Sequence, residues 1–196
     1  MSDRRPLCAL LSAVVFASLA IHPTALRAND EVTVPPRVQA QLLAAVASYQ
    51  TNMNFLPDGA IQILVLTKEN DADSDRVARQ LVGTLADMKK IMRRLHHEEV
   101  QSFKSGRALA ALCHERAISI VYIAPGLGGA IPEIKEALRG TAVLTAGAVA
   151  GFVPRGVVLG FDLVSGRAEM LLNPTEMRAV NVKFPPSLFQ LMRITE

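Results

Sequence analysis

Residues 118–145, ISIVYIAPGLGGAIPEIKEALRGTAVLT, decide how this chain folds. Ile118 to Ala124 is short and almost wholly apolar, the composition of a strand covered on both faces. Pro125-Gly126-Leu127-Gly128-Gly129 then turns the chain. Pro132 stands near the first position of a helix whose inward stripe is Ile131, Ile134 and Leu138. Gly140 ends that helix, and Thr141 to Thr145 makes the next strand. Strand, helix and strand in this order describe a right-handed crossover between parallel neighbours.

The same rhythm continues on either side. Ala60 to Thr67 (AIQILVLT) is a second strand of the two-face-buried kind. Asn70-Asp71-Ala72-Asp73-Ser74 offers caps for a helix with Val77, Leu81, Leu85 and Met88 on its core face. Upstream, Val38, Leu42, Ala45, Val46 and Tyr49 recur at helical spacing, and Asn52 to Gly59 is a turn-rich connector. Ser105 to Glu115 is a short helix with Leu109 and Leu112 inward. Lys89 to Val100 reads two ways: as a continuation of the Met88 stripe through Ile91, Met92 and Leu95, or as a separate short strand.

Downstream the period changes from helical to alternating. Val157, Leu159, Phe161 and Leu163 share one strand face, Ser165-Gly166 makes a turn, and Ala168, Met170 and Leu172 face inward on the return strand. Asn173-Pro174-Thr175-Glu176 supplies an N-cap, a first-turn proline and a carboxylate three residues on. Leu188, Leu191 and Met192 suit a final short helix. The expectation is one α/β domain over residues 37–194. Its sheet is mixed and mostly parallel, with helices on both faces, a C-terminal β-hairpin and short terminal helices.

Residues 1–28 have the plan of a cleaved signal peptide. Arg4 and Arg5 precede an apolar run from Leu7 to Ile21, and Ala28 suits the last position before the cut. That run is short for a membrane span, which takes about 20 residues. Cys8 lacks the preceding pattern of a lipoprotein anchor, and Pro6 breaks a twin-arginine reading. Cleavage would remove Arg4, Arg5 and Arg27 against Asp3, so 18 basic and 17 acidic residues would remain of 21 and 18. The near-neutral balance, with no basic run and few aromatics, lacks the footprint of nucleic-acid binding. No second long apolar segment follows, so the mature protein reads as soluble and periplasmic, without membrane insertion. Only Cys113 would survive, either buried or available for an intermolecular disulfide.

Chemistry-bearing clusters are few. His96-His97-Glu98-Glu99 has metal-ligand residue types, but adjacent histidines diverge on a helix and oppose each other on a strand, so it reads as a solvated polar turn. Cys113-His114-Glu115 offers a nucleophile, a base and an acid as sequence neighbours, which rarely converge in space. The glycine loop at Gly126, Gly128 and Gly129 stands between a strand and a helix, where backbone N–H groups can hold an anion or small molecule. It lacks the third glycine of a dinucleotide fingerprint and the lysine of a P-loop. No catalytic set, metal site or cofactor site is expected.

The order and spacing of residues 138–194 resemble the YfiR family of bacterial periplasmic regulators. The likeness rests on Thr145 at the end of a Leu-Thr strand, Gly156 and Phe161 flanking the penultimate strand, Asn173 ending the last strand, and Ser187-Leu188 near the terminus. The usual Gly-Gly pair is here Arg155-Gly156, and the tryptophan of Phe-x-x-Trp-Pro is missing from Asn54-Phe55-Leu56-Pro57. The resemblance favours a second strand near Ile91 to Leu95. It gives Cys113 a structural place before a strand, while the partner cysteine of some relatives is absent from IQILVL. It implies a non-enzymatic repressor, a homodimer that binds the periplasmic domain of an inner-membrane diguanylate cyclase and lowers cyclic di-GMP signalling and biofilm formation. An outer-membrane lipoprotein would sequester it. The competing expectation is a small-molecule or anion-binding protein using the glycine loop.

Overall fold

The computed structural model describes residues 31–195, and the signal-peptide segment 1–28 lies outside them. Helix α1 (Pro36–Ala47) precedes strand β1 (Ile61–Thr67), helix α2 (Ala72–Asp87), strand β2 (His96–Ser102), helix α3 (Gly106–Glu115) and strand β3 (Ile120–Ile123). Helix α4 (Ile131–Ala137), strand β4 (Leu144–Gly147), the single-turn α5 (Val153–Gly156) and the hairpin β5 (Leu159–Val164) with β6 (Arg167–Leu172) follow. Helices α6 (Pro174–Ala179) and α7 (Pro186–Phe189) and a two-residue strand β7 (Arg193–Ile194) complete the chain.

These strands form one sheet in the order β2-β1-β3-β4-β5-β6-β7. Every neighbouring pair is parallel except the β5–β6 hairpin. The chain leaves β1 toward one edge and returns past it to β3, so the strand order reverses between β1 and β3. Helix α1 packs on α2, and α3 packs on α4, covering the two sides of the sheet. β3 and β4 are buried throughout, and β1 everywhere but at Gln62, which is why their sequences are largely apolar at both odd and even positions. The α/β architecture expected from the sequence is the one observed.

Local chemistry accounts for the boundaries. Asp71 caps α2 by accepting from the Asp73 and Ser74 amides at 3.2 and 3.0 Å. Asn173 caps α6 by accepting from the Glu176 amide at 3.0 Å. Ser165 and Gly166, at φ 50° and 76°, close the hairpin with both central residues left-handed, the conformation whose twist matches the strands. A buried link ties α1 to the sheet: Tyr122 donates its hydroxyl to Gln39 Oε1 at 2.7 Å. Gln39 Nε2 in turn donates to the Val34 and Ala148 carbonyls at 2.8 and 3.0 Å.

Three expectations need correction. The second strand is not at Ile91 to Leu95 but begins at His96, so the sequence expected to be a solvated turn is the first half of β2. Ile91 to Arg94 instead forms a tight turn with mutual backbone bonds, and Lys89, Met92 and Arg93 take positive φ. Leu163 and Ala168 face solvent rather than the core, because the hairpin runs beyond the body of the domain. Leu191 is also exposed, and the C-terminal segment contributes the short parallel strand β7 where only a helix was expected.

Candidate functional site

Three of the residues singled out by the family pattern, Thr145, Gly156 and Asn173, converge on one place, the connection from β4 to β5. This parallel crossover is unusually short, with a 3-10 turn at Ala150–Phe152 and the single turn α5 in place of a long helix. Thr145 Oγ1 accepts from the Val158 amide at 3.0 Å. Asn173 Nδ2 donates to the Val153 carbonyl at 3.0 Å, and the Asn173 amide donates to the Val158 carbonyl at 2.9 Å. Gly156 takes φ 127°, and a Cβ there would lie 2.7 Å from Lys135 Cδ. Lys135 passes over it to pair with the buried Glu176. Phe161 is fully buried in β5. Ser187 stands apart on α7, exposed, whereas Leu188 is buried under it. Thr145, Gly156 and Asn173 are thus structural pins that replace a missing crossover helix.

The glycine loop lies at the C-terminal ends of β1 and β3, outside the point where strand order reverses. Open α/β sheets take ligands in that crevice. Here it is about 430 Å³ and is lined by Glu31, Val32, Lys68, Asp71, Asp73 and Gly126. Gly126 has φ 86°, and a Cβ would meet Asp71 Oδ2 at 2.8 Å, so close approach requires glycine. Lys68 Nζ lies 3.5 Å from Asp71 Oδ2. The Ser74 backbone N–H, aided by Lys68, holds the Asp71 carboxyl below the usual carboxylate range against the opposing effect of burial. Of the three glycines only Gly126 borders the crevice. Gly128 is buried with its carbonyl bonded by Arg155, and Gly129 faces open space. Three carboxylates against one lysine make the crevice acidic, a poor match for an anion.

The two chemistry-bearing clusters are dispersed. His96 and His97 point to opposite sides of β2, as the pleat requires. The His96 side chain is 3% exposed and pairs through Nδ1 with Glu98, itself 11% exposed, while His97 faces solvent. Glu99, on the other face, pairs with Arg116 of the α3 terminus. Among the described residues no three His, Cys, Asp or Glu side chains gather as metal ligands. On α3, Cys113 turns inward while His114 and Glu115 turn outward. Burial pushes the Cys113 thiol up to about 12, which favours the protonated form at neutral pH.

Sequence reasoning missed two features. A cavity of about 380 Å³ lies between α3 and the N-terminal ends of β3 and β4, with Asn54 and Phe55 on one wall. An apolar face also remains on the overhanging hairpin. Leu163, Leu191 and Ile194 are 45, 63 and 48% exposed, and Leu191 lines a groove with Met170 and Leu42. Leu163 pairs with Ala168 and Ile194 with Leu172, so these side chains share one sheet face. The opposite face carries the Arg193–Asp162 and Arg193–Glu169 ion pairs. Leu163 and Ala168 are too far along their strands for periodicity alone to show that the core has ended.

Among solved structures, the chain is similar to the ABC domain in complex with L-Trp from Streptococcus pneumonia, at 9% identity and TM-score 0.57, covering 82% of this chain and 61% of that one. It is similar to a conserved domain protein from Vibrio cholerae O1 biovar El Tor, at 16% identity and TM-score 0.57, covering 83% and 60%. A ligand-free, open substrate binding protein with adhesive properties from Clostridium difficile matches at 12% identity and TM-score 0.54, covering 85% and 61%. This chain spans about three fifths of each, and at these identities the likeness is one of fold. No curated protein matches the sequence. Among the described residues no helix is long and apolar enough to cross a membrane. The YfiR/HmsC-like family model matches residues 36–193, nearly the whole described domain, with the β4–β5 pins inside it. The chain belongs to the YfiR/HmsC-like family.

Proposed function

We propose that this protein is a non-enzymatic repressor that binds the periplasmic domain of an inner-membrane diguanylate cyclase and lowers cyclic di-GMP signalling and biofilm formation. The observation that carries the reading is the family match over residues 36–193. Repression of this kind is linkage: the repressor shifts the cyclase by its preference for the inactive state, and by no more than that preference. The contact surface in this reading is the apolar face of the hairpin. Six large apolar side chains are well exposed among the described residues, and three of them, Leu163, Leu191 and Ile194, lie on the hairpin and the C-terminal segment paired with it. An apolar face backed by the Arg193–Asp162 and Arg193–Glu169 ion pairs on the other side of the strands suits the dry centre of a protein interface.

The test is direct binding of the purified protein to the periplasmic domains of its host's membrane diguanylate cyclases, with cyclic di-GMP measured after gene deletion. Binding to one such domain, lost in Leu163→Glu and Leu191→Glu, and raised cyclic di-GMP in the deletion strain are the expected results. No binding to any of them, with unchanged cyclic di-GMP, overturns the reading. Homodimerisation, and sequestration by an outer-membrane lipoprotein, belong to the same proposal, and the same binding format addresses both.

A second reading, a small-molecule binder, is favoured by the crevice beside Gly126 at the strand-order reversal. Its acidic lining favours an amine or other cation. Thermal-shift screening of amino compounds tests it, since a ligand of the folded state raises its melting temperature by mass action.

A further inference from the structure

The cavity behind α3 goes beyond both readings and depends on neither. We infer that it is a binding site for a small uncharged aromatic molecule, one ring or two fused rings in size. At about 380 Å³ it has the volume of a small-ligand pocket rather than a packing flaw.

The walls are held in place before any ligand arrives. The Arg94 guanidinium lies 4.2 Å from the centroid of the Phe55 ring and stacks on it. Arg94 is itself fixed by donating Nη1 to the Gly59 carbonyl at 3.1 Å. Gly59 has φ 81°, and a Cβ there would come within 2.9 Å of that same nitrogen, so glycine keeps the arginine's place open. Asn54 is anchored at three points. Its carbonyl accepts from Ser119 Oγ at 2.6 Å, and its Nδ2 donates to the Thr141 and Ile118 carbonyls at 3.0 and 3.4 Å. A wall that is already ordered costs a ligand little to use.

The lining chemistry selects the class of molecule. Ala110, Cys113, Ala117 and Val143 are apolar or thiol surfaces, and Phe55 adds an aromatic wall. No Asp, Glu, Lys or Arg side chain lines the space, and its one imidazole, His114, is exposed at the rim, so a charged ligand would lose hydration with no fixed opposite charge to replace it. Thr141 Oγ1 is occupied, donating to the Leu138 carbonyl at 2.7 Å and accepting from the Val143 amide. Asn54, with Nδ2 committed, offers its Oδ1 as an acceptor that can orient a ligand hydroxyl or N–H. Ala117 and Ala142 hold positive φ, 47° and 59°, in the turns beside the cavity, a local strain that glycine would relieve.

The probe is phenol, titrated into the purified isotope-labelled protein and followed by amide NMR, with benzoate and benzylamine as charged rings of similar size. The expected result is saturable shifts grouped at residues 110–117 and 141–143. Benzoate and benzylamine should bind at least about tenfold more weakly, and Ala110→Phe, which fills the space, should weaken phenol at least about tenfold. If Ala110→Phe loses its native circular dichroism, Ala110→Met is the filling variant. Shifts that are absent or scattered over the surface up to about 20 mM phenol overturn the inference, as does equal binding of the charged rings or indifference to a folded filling variant.

Discussion

Tyr122→Phe is the sharpest test of how α1 is fastened to the sheet. The Tyr122 hydroxyl is buried and donates to Gln39 Oε1 at 2.7 Å, and Gln39 is buried as well. Removing the hydroxyl leaves the ring packing intact but deprives a buried carbonyl oxygen of its donor. An unsatisfied buried acceptor costs about 1–3 kcal/mol, so about 2 kcal/mol is expected. At about 2–4 °C per kcal/mol for a domain of this size, the melting temperature falls by about 4–8 °C. Gln39→Met costs more, above about 3 kcal/mol, because it also abandons the Val34 and Ala148 carbonyls. The double variant should cost less than the two singles together, with a coupling of at least about 1 kcal/mol. Urea denaturation followed by far-ultraviolet circular dichroism measures all three, the chain having no tryptophan. A Tyr122→Phe effect below about 0.5 kcal/mol, or strict additivity in the cycle, would refute the reasoning.

Other outcomes follow from the caps, the pins and the thiol. Gly156→Ala forces a side chain into φ 127° and against Lys135, so it should destabilise by about 1–3 kcal/mol, and adding Lys135→Ala should relieve only the steric share. Asp71→Ala should cost about 1 kcal/mol near neutral pH. The folded-state pKa of Asp71 is lowered, so its contribution is present above the unfolded value and lost as pH falls through the folded one. The stability gap between wild type and Asp71→Ala should therefore narrow in acid, below about pH 4, and persist from about pH 5 upward. Cys113, with its thiol at about 12, should resist maleimide at pH 7.5, and labelling should track unfolding. Rapid stoichiometric labelling of the native protein would place the thiol outside the core and revive an interchain bridge.

The sequence was most readable where a segment's burial was uniform. β1 and β3 are buried on both faces, so their apolar runs stand out, and the caps at Asp71 and Asn173 have side-chain chemistry of their own. β2 was misplaced because an edge strand need not be apolar. HHEEVQS engages polar groups in the His96–Glu98 and Glu99–Arg116 pairs, whereas Ile91 to Leu95, with its three apolar residues, looked strand-like and is a turn that leaves Leu95 exposed. The Gly126 loop was legible as a strand-to-helix turn, but the carboxylates around it arrive from α2 and the N-terminal segment. The cavity behind α3 was invisible for a related reason. Its walls come from segments up to 89 positions apart, Asn54 to Val143, and each contributes a side chain unremarkable by itself.

The two margins of the sheet are unlike each other, and this limits how copies can combine. One margin is β2, seven residues long and armoured with charge. The other is the two-residue β7 beside an apolar face. Open-ended growth would need the apolar margin of one molecule to accept the charged margin of the next, again and again, and the two do not match. Contact through the apolar end therefore terminates itself: whichever protein docks there, the opposite margin stays solvated. Margin-to-margin growth into filaments is thereby disfavoured.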